Sequence, residues 1–316
     1  MAKHFITGGA GFIGSHLVDR LIVEGNKVTV YDNLVAGKVE NIKHQFGKES
    51  FNFIQADLLE AEILKQAMRR HDLVWHLGAN SDIPHGNKQT DLDLKNCTIA
   101  TYNVLEAMRQ NGIKKILFTS TSAIYGEIPK MPTSEDTGPT LPISLYGAGK
   151  LAGEGLISAY SHLFDIQAWI FRFGNIVGDR MGHGIIFDFI HKLKQNSKEL
   201  EILGDGNQEK NYLLVEDCID GMFCAFYNSN KRCDAFNLGC GSTAKVGKIV
   251  QIVVEEMGLK NVKFNYTGGK RGWPGDVPIV RFDVTKMEKL GWRAKYSSEK
   301  AVRIATRRLL GNKRNK

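Results

Sequence analysis

Residues 7–14 read T-G-G-A-G-F-I-G, directly after the short apolar run KHFIT (3–7). They open a segment, 12–24, whose apolar side chains Phe12, Ile13, Leu17, Val18, Leu21 and Ile22 recur at helical spacing, with Gly25 as a stop. Strand, glycine turn and helix in that order leave few folds open. Gly8, Gly11 and Gly14 lack a Cβ, so backbone N–H groups can approach a pyrophosphate, and the helix N-terminus adds partial positive charge. Asp32 closes the next strand, VTVYD (28–32), 18 residues after Gly14. A carboxylate there suits the two hydroxyls of an adenosine ribose and repels a 2′-phosphate. The pattern predicts dinucleotide binding, with NAD favoured over NADP. Lys38 is the residue that would favour the phosphate if its loop folded over.

The apolar runs 51–57, 73–79, 115–121 and 166–173 continue the series, with helical patterns at about 60–70, 96–111 and 146–163. Such runs fit strands buried on both faces, and their alternation with helices predicts an α/β fold: a Rossmann-type, doubly wound parallel sheet. After about residue 174 the pattern loosens into glycine-rich loops (178–184, 204–211, 271–278) around an apolar helix, 185–195. A smaller C-terminal lobe is expected there. The predicted division is a dinucleotide-binding domain over 1–174, joined again by segments around 211–240, and a second lobe over 175–316.

The chain has 316 residues, 42% hydrophobic and 24% charged, enough to bury a sizeable core. No apolar run reaches the roughly 18 residues of a membrane helix, and Met1 leads straight into a strand without a secretion signal. No membrane partner and a cytoplasmic location are therefore expected. Cys97, Cys218, Cys224, Cys233 and Cys240 form no C-x-x-C pair, which predicts reduced thiols and no metal site. Of the net charge of +8, six positive charges lie in the last fourteen residues, on Arg303, Arg307, Arg308, Lys313, Arg314 and Lys316. That placement reads as a helix end and tail, and nucleic acid is not an expected partner.

Tyr146 and Lys150 stand four apart near the start of a helical segment and share a face. A phenol with a pKa near 10 is a poor base at neutral pH, and lowering it by ~3 units takes ~4 kcal/mol. A nearby ammonium and an oxidised nicotinamide would both favour the phenolate. Thr119-Ser120-Thr121-Ser122 ends a strand, where ligands of open α/β sheets bind, so a hydroxyl there can relay a proton to Tyr146.

The motifs TGGAGFIG, YDNL, HLGA, TSTSAIYG, YGAGK and FRFGNIVG, with GDGNQEKNYLLVED, FNLGCG and PGDVP further on, resemble the extended short-chain dehydrogenase/reductases. More narrowly, they resemble nucleotide-sugar epimerases of the UDP-galactose 4-epimerase type, over about residues 1–295. The resemblance implies that Gly8, Gly11, Phe12, Ile13 and Gly14 hold the pyrophosphate of NAD. It implies Asp32 and Asn33 at the adenosine ribose with Lys38 nearby, and Asp57 and Leu58 beside the adenine. Leu77, Gly78 and Ala79 would line the cofactor, and Asn96 would brace the site. Thr121, Tyr146 and Lys150 would be catalytic. Phe173 would lie near the nicotinamide. Ser122, Asn175, Lys210, Arg271 and Asp276 would meet a nucleotide-sugar substrate held by the C-terminal lobe, and two copies would pair as a homodimer.

Within that group the dehydratases carry Asp-Glu after the threonine and the glucuronate decarboxylases a Glu. Here Ser122 and Ala123 stand instead. Elimination needs an acid and a base beyond the hydride shuttle, so the resemblance implies 4-epimerisation through a transient 4-keto sugar. The alternatives are another nucleotide-sugar-modifying member (dehydratase, decarboxylase or reductase) or a non-catalytic dinucleotide sensor, which needs no Tyr-Lys pair.

Overall fold

The protein is described by a computed structural model covering residues 1–129 and 131–311. The basic residues Lys313, Arg314 and Lys316 lie outside that range. Two compact units are present. The first comprises residues 1–125, 140–172 and 225–236, and the second 126–139, 173–224 and 237–316.

The main sheet contains β1 (Lys3–Thr7), β2 (Lys27–Asp32), β3 (Phe51–Gln55), β4 (Leu73–His76), β5 (Lys115–Thr121) and β6 (Gln167–Phe173), with a seventh strand over Cys233–Leu238. Its order is the late strand, β6, β5, β4, β1, β2, β3. β1 pairs in parallel with β2 on one side and β4 on the other. The chain therefore winds outward through β2 and β3, then returns across β1 to β4. The point where the order reverses is a crevice at the carboxyl ends of β1 and β4, which is where open α/β sheets bind ligands.

The strands are continuous apolar runs because helices cover both faces. Phe5, Val74, Ile116, Phe118 and Ile170 share one buried cluster with Val104, Leu105 and Met108 of the helix Ala100–Asn111 and Ile157 of the helix Leu145–Phe164. The expected helix over 96–111 divides: Leu94–Ile99 is a π-helical turn that runs into Ala100–Asn111. Such turns offset the side chains that follow and often occur at functional sites.

The second unit has its own core. Ile186, Phe189 and Ile190 of the helix Ile185–Gln195 pack with Ile249, Val250 and Val253 of Val246–Glu256, and with Ala301, Val302 and Ala305 of Ser298–Leu309. Short strand pairs complete it, including Asn175–Val177 with Tyr212–Leu214 and Glu209–Lys210 with Ala244–Lys245. No helix among the described residues is long and apolar enough to cross a membrane.

Candidate active site

The glycine turn after β1 has the close packing that its sequence requires. Gly8 has φ +69°, and a Cβ there would fall 2.8 Å from the nitrogen of Gly78 on the turn after β4. A Cβ on Gly14 would fall 2.2 Å from the Gly8 carbonyl oxygen. The first helix, Phe12–Val23, can thus begin against the turn, and its N-cap Gly11 supplies no side-chain acceptor. The N–H groups of Phe12 and Ile13 at this uncapped end are of the kind that bind an anion.

Asp32 is buried and accepts from the Ala10 N–H at 2.9 Å on one oxygen and from the Leu34 N–H at 2.9 Å on the other. Each oxygen keeps a lone pair for a hydroxyl. Burial raises the Asp32 pKa, and the two backbone N–H groups oppose that rise. Asn33 donates to Asp57 at 2.8 Å, and the Leu58 side chain lies where a Cβ on Gly78 would meet it at 2.7 Å. The turns after β1, β2, β3 and β4 are thereby tied together, with half-buried Leu77 and Ala79 beside them. The Lys38 N–H donates to the Ala10 carbonyl at 3.0 Å, while its side chain is exposed. The glycine cradle, the uncapped helix end and the Asp32 carboxylate fit a dinucleotide.

Thr121 ends β5; its hydroxyl accepts from the Ala123 N–H at 3.1 Å and lies beside Tyr146, whose pKa it lowers. The helix carrying Tyr146 is capped by Ser144, whose hydroxyl accepts from the Gly147 N–H at 3.1 Å. Tyr146 is half-buried, and burial raises its pKa, with Asp93 and Cys97 adding to the rise. Lys150 is 2% exposed; it donates to the Thr119 carbonyl at 2.7 Å and lies 4.7 Å from the Phe118 ring centre. Burial lowers its pKa, against the pull of Cys97, Glu154 and Asp93.

In the second unit, Lys210 pairs with the buried carboxylate of Asp276 and lies over the Trp273 ring at 5.1 Å. Arg271 donates to the Asp276 carbonyl at 2.8 Å and pairs with Glu127 at 2.8 Å. Asn175 pairs with Tyr212 across two parallel strands, and Phe173 is buried. The three expected polar residues Lys210, Arg271 and Asp276 therefore converge, and each cation already faces an anion.

A model of the GDP-mannose 4,6 dehydratase family matches residues 5–305. The chain belongs to this family. Among curated relatives it is 30% identical over 315 residues to a "Putative UDP-glucose 4-epimerase" of Methanocaldococcus jannaschii, covering 98% of this chain and 99% of that one. It is 31% identical over 260 residues to "UDP-glucuronic acid decarboxylase 1" of Xenopus tropicalis, covering 80% of this chain and 60% of that one. A solved UDP-galactose 4-epimerase aligns with TM-score 0.86 and 36% identity, covering 96% and 97% of the two chains. A UDP-glucuronic acid 4-epimerase from Bacillus cereus, solved with UDP-glucuronic acid and NAD, aligns with TM-score 0.86 and 28% identity, covering 96% and 98%. The chain is an extended short-chain dehydrogenase/reductase of nucleotide-sugar-epimerase type.

Within the family frame, one expected residue stands apart and three unexpected ones come in. The Asn96 side chain donates to Leu92 on its own turn at 3.0 Å, whereas its neighbour Cys97 is buried beside Tyr146 and Lys150. Asp93, one turn earlier, is 1% exposed. His76 at the end of β4 is fully buried between Thr7 and Thr101. Cys97 lies within the π turn, whose extra residue offsets the side chains that follow, and Asp93 is the residue that caps it; Asn96 was expected from the family resemblance. Gly149 permits the approach, since a Cβ there would fall 2.9 Å from both the Asp93 carbonyl oxygen and the Cys97 Cβ.

Proposed function

We propose that this protein is an NAD-dependent 4-epimerase acting on a nucleotide-diphosphate sugar, of the UDP-glucose/UDP-galactose or N-acetylhexosamine type. The observation that carries the reading is that Thr121, at the end of β5, lies beside Tyr146, with buried Lys150 one turn further along the same helix and tied to the Thr119 carbonyl at 2.7 Å. Gly8, Gly11, Phe12, Ile13 and Gly14 would hold the dinucleotide pyrophosphate, and Asp32 and Asn33 the ribose. The bound nicotinamide ring supplies reversible hydride acceptance and a positive charge. Tyr146 removes the proton from the sugar 4-hydroxyl, Thr121 holds that oxygen, and Lys150 favours the phenolate through its charge. Lys210 and Arg271 keep the diphosphate while the keto sugar turns over and is reduced on its other face.

Dehydration or decarboxylation is the second reading, and a decarboxylase stands among the relatives. The two residues after Thr121, Ser122 and Ala123, carry no carboxylate to serve such an elimination. In this reading the first unit holds the cofactor and the second the nucleotide sugar, and two copies pair through the helices at 94–111 and 145–164, which expose Leu94, Ile99, Tyr102 and Leu163. This reading places the protein in the cytoplasm, where its five cysteines stay as reduced thiols.

Incubation with a panel of UDP-sugars tests the reaction. An epimerase yields a mixture of two isomers with no net NADH and no loss of water or carbon dioxide, and Tyr146→Phe abolishes this while the protein still binds NAD. A dehydrated or decarboxylated product, or full turnover by Tyr146→Phe, overturns the reading.

A further inference from the structure

Asp93 presents a charge that its hydrogen bonds do not account for. One carboxylate oxygen accepts from the Asn80 amide at 2.9 Å and faces the Cys97 thiol at 3.9 Å. The other has no hydrogen-bond partner and is buried. A buried acceptor left unpaired costs about 1–3 kcal/mol, and more when charged. An asparagine would accept the Asn80 bond equally well. The side chain is also fixed in place: a Cβ on Gly86 would fall 2.2 Å from the unpaired oxygen, and Gly149 closes against the Asp93 backbone.

The groups around it and around its neighbour Lys150 define what the charge acts on. The helix Leu145–Phe164 presents Tyr146, Lys150 and Glu154; the π turn presents Cys97; β4 presents His76. Glu154 is answered by Arg172 of β6, in a bidentate pair with a closest approach of 2.7 Å. Burial raises the Cys97 pKa and keeps that thiol neutral, and burial lowers that of His76 and keeps the imidazole neutral. Burial also raises the Asp93 pKa, and the Asn80 amide, the Cys97 thiol and the Lys150 charge oppose that rise; when ionised, Asp93 is the anion beside Tyr146 that no arginine fork answers.

We propose that Asp93 is a positioning residue for the Tyr146–Lys150 pair: a fixed buried anion that sets the pH window in which the phenol is ionised and the ammonium kept. This rests on the reading of Tyr146 and Lys150 as the catalytic pair. Asp93 touches neither substrate nor cofactor in this role. Its negative charge makes a proton harder to remove from either partner, so it holds both ionisations at higher pH.

The test compares pH profiles of kcat for wild type, Asp93→Asn, Asp93→Ser and Cys97→Ser. Both limbs are expected to move to lower pH in the two Asp93 variants, by about one unit, the order a single nearby charge imposes. Cys97→Ser is expected to leave both limbs in place. A readout independent of turnover is the tyrosinate absorbance of Tyr146, taken as the difference from the matching Tyr146→Phe protein. It is expected to titrate at lower pH without the Asp93 charge. Superimposable titrations overturn the proposal even if the enzyme proves not to be an epimerase, and full turnover by Tyr146→Phe overturns the catalytic reading while the titration still reports on Asp93. Should neither variant fold, carbon-13 NMR of the wild-type protein decides: an Asp93 carboxyl ionised at pH 7 supports the proposal, and a protonated one overturns it.

Discussion

Thr101 gives its hydroxyl proton to the Cys97 carbonyl at 2.6 Å, so its oxygen must accept from His76 Nε2 at 3.0 Å. That fixes the imidazole as the neutral Nε2–H tautomer, leaving Nδ1 to accept from the Thr7 hydroxyl at 2.8 Å. Thr7 in turn accepts from the Gly78 N–H at 3.0 Å. One directed chain thus runs from the turn after β4, through the ends of β1 and β4, to the π turn bearing Cys97. A proton added to Nδ1 would break it, because Thr7 would then face a donor. Burial lowers the His76 pKa to about 3, and Lys150 adds to the effect.

The stability consequence follows from linkage. Below pH 6.5 the unfolded chain protonates this histidine and the folded chain does not until about pH 3. The stabilisation is therefore full above 6.5 and falls as the pH drops through that window. Between pH 7 and 4.5 the wild type is expected to lose about 2–3 kcal/mol more than His76→Gln, at 1.4 kcal/mol per unit. Urea midpoints of the two proteins at both pH values check this, and parallel losses would remove His76 from the account. His4, lowered to about 4 by burial, moves both proteins alike.

Much of the frame was legible because it depends on local pattern. The strands at 3–7 and 115–121 and the helix at 185–195 fall where their apolar spacing put them. The glycine turn was legible because a missing Cβ is itself the signal. What was not legible depends on chain-distant partners. Counting charge along the sequence placed Arg303, Arg307 and Arg308 in a helix end and tail and named no partners for them. In the fold Arg303 and Arg307 pair with Glu256, and Arg308 with Glu216. Cys97 was hidden for another reason: one extra residue in the π turn Leu94–Ile99 rotates the inward face, and composition carries no trace of that.

The buried ion pair behind β5 gives a second prediction. Glu154 accepts both forks of Arg172 and the Ser120 hydroxyl at 2.5 Å, and Arg172 also reaches the Tyr125 hydroxyl at 2.9 Å. Removing one partner leaves the other charge buried, which typically costs about 3–5 kcal/mol. Glu154→Gln is expected to lower the melting temperature sharply. The double variant Glu154→Gln/Arg172→Met is expected to recover part of the loss, and calorimetry of the four proteins in the cycle measures both.

Two glycines in helices should respond in opposite directions. An alanine Cβ at Gly14 would meet the Gly8 carbonyl at 2.2 Å, whereas one at Gly155 meets nothing within 4 Å. Gly14→Ala is expected to destabilise by about 1–3 kcal/mol through overpacking, and to weaken NAD binding under the proposed function. Gly155→Ala is expected to stabilise by about 0.5–1 kcal/mol by helix propensity. Chemical denaturation with and without NAD separates the two, and a stabilised Gly14→Ala would contradict the packing.

The cations of the second unit give the last prediction, since each must exchange an anion if a diphosphate arrives. Arg271 and Glu127 are 39% and 49% exposed, so their pair is worth at most about 1 kcal/mol. Removing the competing carboxylate costs little and frees the guanidinium. Glu127→Gln is therefore expected to tighten binding of UDP by up to about fivefold, while Arg271→Ala weakens it. Lys210 differs because its partner Asp276 is buried, 2% exposed in its side chain. Lys210→Ala strands that carboxylate and is expected to lower stability as well as affinity, whereas Lys210→Arg restores the charge and adds a planar fork suited to a diphosphate. Calorimetric titration with UDP, set beside thermal melts, separates the two effects. A Glu127→Gln protein that binds UDP more weakly than wild type would show that the carboxylate orders Arg271 for the ligand instead of competing with it.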